Sequence, residues 1–257
     1  AAAFIIPFLV VVLTAFMSQR ESGTGALWPR PWVWSNFGTV FSTMPFGRDL
    51  LNTVIYAGVS AIGVMVSSTL AAFALARLRW RAREWVFVVV LATMMIPAQV
   101  TSLPLYVLYS QVGLVGTLWP LILPNLLCDA YSIFLLRQFF LTVPREVTEA
   151  AAVDGASTWR VLTNVMVPMT KPGIAAIGLF SFLYAWNDFY NPLLYTGNSN
   201  NGQTLAVGLT QLARSVHQQS YQLQMAASLM FVIPVIVIFF LAQRVFIEGI
   251  NLGGIKE

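Results

Sequence analysis

Charge is what this chain has least of. Only 9% of its 257 residues are Asp, Glu, Lys or Arg, where a soluble domain carries about 25%. So little charge cannot cover a surface that faces water. Hydrophobic residues make up 58% of the chain and mean hydropathy is +0.74, so lipid solvates most of the exterior. Cysteine is nearly absent. Cys128 stands alone, which excludes an internal disulfide and a thiolate metal site; its apolar neighbours suggest a small buried hydrophobe. His217 is the single histidine and reads as a solvated loop residue. With one His and no catalytic Cys partner, no acid–base or metal constellation assembles, so the chain reads as no enzyme and as holding no cofactor or metal. A phosphate-binding loop ending in Lys and Ser or Thr is also missing. The net charge of +4 forms no single patch, which argues against nucleic acid as a partner.

What is present is a series of long apolar runs. A spanning helix needs about 20 apolar residues, and six stretches qualify or nearly do: 1–17, 51–78, 85–109, 115–140, 173–194 and 225–246. The first lacks a small-residue cleavage site and reads as a membrane helix whose cytoplasmic start precedes Ala1, not as a signal peptide. With the N-terminus placed in the cytoplasm, ten Lys and Arg fall inside and four (Arg20, Arg30, Arg48, Arg214) outside. That bias supports a multi-pass protein of the cell (plasma or inner) membrane with both termini cytoplasmic. The fold class expected is all-α, about six transmembrane helices in one domain over 1–257, with extracytoplasmic loops at 18–49 and 195–223 and a cytoplasmic loop at 141–172. Trp28, Trp32 and Trp34 suit the membrane–water interface.

The cytoplasmic loop carries the sharpest pattern. Pro144 suits the first turn of a helix, and Glu146 and Glu149 favour its N-terminal half. Val147, Ala150, Ala151 and Asp154 share one face by helical spacing. Gly155 fits the C-cap, Ser157 can cap a second helix, and Pro168 should end it. Two short helices hinged at Gly155 are expected. The face is mostly Ala, which binds lipid weakly and allows close approach of a protein groove.

Polar residues inside spans mark pathways or hydrogen bonds between helices. Asn125 and Asp129 stand four apart in the fourth span. Tyr184, Asn187, Asp188 and Asn191 form a stripe at i, i+3, i+4 and i+7 in the fifth. Hydroxyl, amide and carboxylate groups in one row suit a polyhydroxylated ligand, with Trp186 and Phe189 near enough to stack on a sugar ring. Pro97, Pro104, Pro120, Pro124 and Pro234 are candidate kinks or gate hinges, and Met94 and Met95 beside Pro97 a candidate apolar gate.

The run Glu149-Ala150-Ala151, three residues, Gly155, nine residues, then Val165-Met166-Val167-Pro168 resembles the EAA loop of ABC importer permeases, with Val165 and Val167 where Ile and Leu are usual. Asp154-Gly155-Ala156 looks like the carbohydrate-importing branch. Leu103-Pro104-Leu105-Tyr106, Ile122-Leu123-Pro124, Phe134-Leu135-Leu136-Arg137, Ala185-Trp186-Asn187-Asp188-Phe189 and the tail from Gly249 to Lys256 are similar to the smaller permease of the maltose-type carbohydrate-uptake family. The resemblance implies a coupling role for Glu149, Ala150, Ala151, Asp154 and Gly155, and contact of Lys256 and Glu257 with an ATPase. It implies a second homologous permease, a dimer of ATP-binding subunits that alone carries ATP and Mg, and an extracytoplasmic solute-binding protein. The cargo implied is a sugar or sugar-like polar solute, such as an oligosaccharide, an amino sugar or a glycerophosphodiester. The rival is an ion-coupled secondary transporter acting without an ATPase, for which paired broken helices or internal repeats would be the sign.

Overall fold

The computed structural model describes the backbone of residues 2–197, 199, 201–215 and 220–253, and the side chains of 5–197, 199, 201–214 and 220–241. In chain order the helices are α1 (Ala2–Ala15), α2 (Gln19–Ser22), α3 (Ser35–Thr43), α4 (Phe46–Arg77), α5 (Arg83–Thr93), α6 (Ala98–Gln111), α7 (Trp119–Leu126) and α8 (Ala130–Thr142). There follow α9 (Arg145–Val153), α10 (Thr158–Val161), a π-helical turn (Leu162–Met166), α11 (Val167–Met169), α12 (Lys171–Asn187), α13 (Tyr190–Thr196), α14 (Leu205–Ser215) and α15 (Tyr221–Gly253). Among the described residues there is no strand. The all-α expectation holds.

Three stretches are long and apolar enough to cross a membrane: α4, the run Trp119–Thr142, and Tyr221–Leu241 of α15. Two bent pairs bring the number to five if each is one span: α5 with α6, bent by 93°, and Thr158–Met169 with α12, bent by 79°. The first apolar stretch is a shorter helix, Ile5–Ala15. The expected third span, 85–109, is therefore broken at Met94–Pro97. Pro97 has extended backbone (φ −61, ψ 131) and begins α6, because its ring disfavours helix in the residue before it. The expected fourth span is interrupted at Leu127–Asp129, and the fifth helix stops at Asn187.

The chain divides into two compact units, residues 1–55 with 186–241, and 56–185 with 242–257. In the first, Ala15, Val40, Met44, Phe46, Leu205, Leu212, Ala226 and Ala227 form a buried core. Asn36 donates its amide to the carbonyls of Ala15 and Met17, each at 2.9 Å, which closes the end of α1. Asn52 donates to the carbonyls of Asn201 and Gln203, and the Thr53 hydroxyl accepts from Leu205 N–H at 2.8 Å. Those bonds hold the polar segment before α14 against α4. Gly208 lies so close that a Cβ there would sit 2.5 Å from the Asp49 carboxylate. At α2, Ser18 and Glu21 form a reciprocal capping box. The backbone and hydroxyl bonds from Ser18 hold the Glu21 carboxyl below its usual range.

In the second unit the core joins α4, α5, α8, α10, the π-turn and α12. Phe73, Leu136, Phe140, Val161, Leu162, Met166 and Ile177 are its buried members. Phe140 packs edge-on against Phe73. Arg137 lies 4.1 Å over the Phe87 ring and bonds the Glu84 carboxylate, so α5 is fastened to α8 by a cation–π contact and an ion pair. Gly63 allows α7 to approach α4, for a Cβ there would meet Leu126 at 2.5 Å.

Replacing Phe140, fully buried, with Ala removes packing that nothing nearby can refill. Phe140→Ala is expected to lower stability by about 3 kcal/mol, measured as a lower midpoint of thermal unfolding in detergent.

Candidate functional site: an exposed helical elbow and the polar residues of the spans

The segment 141–172 folds as two arms meeting at Gly155. Pro144, with φ −57 and ψ 141, stands just before α9 and not in its first turn. At the far end Gly155 has φ +80. Gly155 N–H donates to Ala152 C=O at 3.1 Å and Ala156 N–H to Ala151 C=O at 2.9 Å. This pair of bonds is the Schellman ending, in which a left-handed residue turns the chain away from the helix axis. Ser157 accepts from Arg160 N–H and caps α10, as expected.

The second arm does not end before Pro168. It passes through the π-turn Leu162–Met166 into α11 and reaches Met169. Val167 N–H bonds back five residues to Leu162 C=O, and that wider turn gives the proline ring room it would lack against an α-helical carbonyl four residues back.

The arms differ in burial. Val161, Leu162 and Met166 are in the core, whereas no residue of α9 is buried. Glu149, Ala150, Asp154 and Gly155 are exposed, and Ala151 is half-buried against the core. Val153 is 87% exposed and Trp159 63%. Of the expected face, Val147, Ala150 and Asp154 are open, and Ala151 turns inward. The Glu149 carboxylate stands 3.8 Å from the exposed guanidinium of Arg79, a contact worth little at such exposure.

Arg77, the last residue of α4, donates to the carbonyls of Phe140 and Val143. These are orphan acceptors at the end of α8, and a cation there also meets the negative end of the helix dipole. Sequence reading counted Arg77 only as a charge on one side of the membrane and missed this tie. Its position at a span end, facing a loop that must be held, was the available signal.

The polar residues of the spans are placed as follows. Asn125 donates to Leu121 C=O at 2.8 Å and to Ser60 Oγ at 3.2 Å. It lies in α7, whereas Asp129 caps α8, so the two do not share one helix face. Between them Cys128 is exposed, with φ +94. It is not the buried hydrophobe expected, because it occupies the turn between two helices. Asp129 Oδ2 accepts from Ser132 N–H at 2.7 Å and Ser132 Oγ at 2.6 Å, an N-cap bond. Tyr184 and Asn187 lie exposed on the last turn of α12. Asp188 lies beyond the helix end, and Asn191 in α13 meets it: Asn191 N–H and Nδ2 donate to its two oxygens at 3.2 and 2.9 Å. The stripe is thus a helix end followed by a bonded turn, not one continuous row. Trp186 is buried and packs 5.6 Å from the Phe231 ring, so it cannot stack on a ligand. Phe189 helps line a cavity of about 190 Å³ with Thr210, Gln211 and Arg214. His217, Lys256 and Glu257 lie outside the described residues. Among the described residues no cluster suited to a metal exists.

The bent helix pairs suit either kind of transporter, and the family decides between them. Residues 63–251 match the family of binding-protein-dependent transport system inner membrane components. The chain is 31% identical over 254 residues to the putative ABC transporter permease protein ORF2 of Caldicellulosiruptor sp. strain Rt8B.4, covering 98% of this chain and 91% of that protein. It is 33% identical to the osmoprotective compounds uptake permease protein GgtD of Synechocystis sp., over 86% of this chain and 74% of the relative. It is 30% identical to the sn-glycerol-3-phosphate transport system permease protein UgpE of Yersinia pestis bv. Antiqua, over 96% and 90%. In fold it matches a chain of a bacterial ABC transporter that imports the acidic polysaccharide alginate, with a TM-score of 0.79 at 24% identity over 93% of this chain and 89% of that one. A second alginate transporter structure, solved with its pentasaccharide-bound periplasmic protein, matches with a TM-score of 0.71 at 18% identity. The chain belongs to the family of binding-protein-dependent transport system inner membrane components. It is a permease subunit of an ABC importer and not an enzyme, which displaces the secondary-transporter reading.

Asp129→Ala removes the cap of α8 and is expected to cost about 1 kcal/mol. Asp129→Asn, which keeps an acceptor, should restore most of it. Thermal unfolding of the two variants in detergent checks the order.

Proposed function

We propose that this permease carries a sugar or sugar-like polar solute inward by alternating access, and that the elbow at Gly155 couples the movement to a separate ATPase. One observation carries the reading. The loop has one arm rooted in the core through Val161, Leu162 and Met166 and the other, α9, with no buried residue and with Val147, Ala150 and Asp154 open. A push on α9 is delivered to α8 and α12, the helices that flank the loop. Glu149, Ala150 and Asp154 are the groups a partner would meet. Ala151 seats α9 on the core, and Gly155 sets the angle between the arms.

ATP and Mg belong on the partner ATPase. A second homologous permease and an extracytoplasmic solute-binding protein complete the complex, and both termini of this chain face the cytoplasm. The polyhydroxylated class of solute is supported by the relatives, one named for sn-glycerol-3-phosphate, and by a neighbour in fold that imports alginate. For the path itself, Tyr184 and Asn187 at the end of α12 and the Asp188–Asn191 pair are the leading groups. Asn125 and Asp129 serve helix packing and capping first, and would line the path only with their remaining capacity.

A Cβ at Gly155 meets nothing within 4 Å, so a substitution there acts through the backbone: a left-handed residue with a branched side chain costs about 1–2 kcal/mol. Gly155→Val is expected to preserve membrane insertion while uptake per ATP hydrolysed falls severalfold in reconstituted vesicles. Unchanged coupling in that variant would sink the assignment. Affinity purification from the native membrane should bring down an ATPase and a second permease. A chain that purifies alone and transports without ATP would refute the coupling role.

A further inference from the structure

Between α9 and the end of α4 lies a cleft of about 320 Å³ into which four arginines, Arg77, Arg79, Arg83 and Arg145, are gathered with a single carboxylate, Glu149. The balance is strongly positive, and little of it is answered among the described residues. Among the described residues Arg77 bonds neutral carbonyls, and its buried Nε has no hydrogen-bond partner there. Arg83 is paired outward with Glu84 at 2.7 Å. Arg79 reaches Glu149 only at 3.8 Å. Arg145 has no ion pair among the described residues. Like charges held together in a cavity need an anion, and guanidinium groups match the oxygens of phosphate better than any other side chain does.

The arginines are gathered where a long apolar helix ends. Helix α4 has 32 residues, about 48 Å of length against roughly 30 Å of hydrocarbon. A helix of that length centred on the bilayer carries its last residue, here Arg77, to the outer edge of the headgroup layer. Trp80 and Trp85, both exposed, flank it as interfacial residues do. Arg83 lines the cleft and also starts α5, whose Val86, Val88 and Val89 are exposed. A phosphate in the cleft thus has apolar surface beginning one turn away, where acyl chains can lie.

We infer that this cleft is a binding site for a phosphate oxyanion, that of an anionic phospholipid headgroup, held by Arg77 and Arg145 behind the exposed helix α9. The inference rests on the membrane assignment and the arginine geometry, not on the coupling role of Gly155. A bound headgroup braces the root of α9 and gives the loop a second anchor beside its core residues.

The test is native mass spectrometry of the full chain in its purified complex, titrated with phosphatidylglycerol, phosphatidylcholine and inorganic phosphate. Phosphatidylglycerol is expected to be retained in preference to phosphatidylcholine. Arg145→Gln should weaken it about tenfold with phosphatidylcholine binding unchanged, and Arg145→Lys should recover part of the loss. Inorganic phosphate that binds in an Arg145-dependent way, with no preference between the two lipids, keeps the oxyanion and overturns the lipid source. Equal retention of phosphatidylglycerol by the wild type and Arg145→Gln overturns the site. An Arg145→Gln complex that loses its ATPase while holding the lipid at full strength overturns it too, and gives the cleft to an acidic side chain of the partner.

Discussion

The main constraint on this structure is that backbone polar groups in lipid have no water to bond. An unbroken helix meets the constraint by itself, and α4 does so over 32 residues. An interruption leaves backbone groups unbonded within the helix, and at several of them a side chain answers. Asn36 closes the end of α1, and Arg77 takes the carbonyls at the end of α8. Asp129 supplies the acceptor that starts α8, and Asp188 meets the N–H of Asn191 after α12. Many of the few polar residues in this apolar chain are spent on such ends. That spending is a cost function must share, because a group committed to a helix terminus has less capacity left for a solute.

The tendency separates the polar residues of the spans into two kinds. Asn125 and Asp129 are held by short bonds within their own unit. Tyr184 and Asn187 lie exposed on the last turn of α12. The same distinction runs through the loop. Residues that root it are apolar and buried, whereas α9 carries three alanines beside charged residues, and none of its nine residues is buried.

Much of this was legible in the sequence. Apolar runs located the membrane stretches, and the spacing of Pro144, Gly155 and Ser157 gave both arms of the elbow. Gly155 was readable because a left-handed residue after a helix has a strong chemical preference. Pro97 was read as a candidate kink, and the chain bends there by 93°, but the interruptions at Leu127–Asp129 and Asp188–Phe189 were not legible. An apolar run looks alike whether its backbone is continuous or broken, and only Pro97 among these carries a local signal. Cys128 and Trp186 failed for a related reason: the turn that exposes one and the Phe231 contact that buries the other are made by residues distant in sequence or by backbone geometry. Pro168 shows the converse, a helix breaker tolerated because a wider turn precedes it.

The Schellman ending at Gly155 also fixes a mechanical ratio. Helix α9 has nine residues, so it is an arm of about 13 Å swinging on one residue. A pivot of roughly 10° there carries the far tip through about 2 Å, given that arm length. Since Val161, Leu162 and Met166 are clamped in the core, the torsion of Gly155 sets the angle between the arms. A stiffer residue at the joint would turn the same push into a shift of the whole loop. The geometry of the elbow therefore resides in backbone torsion at Gly155 together with the seat of Ala151 on the core.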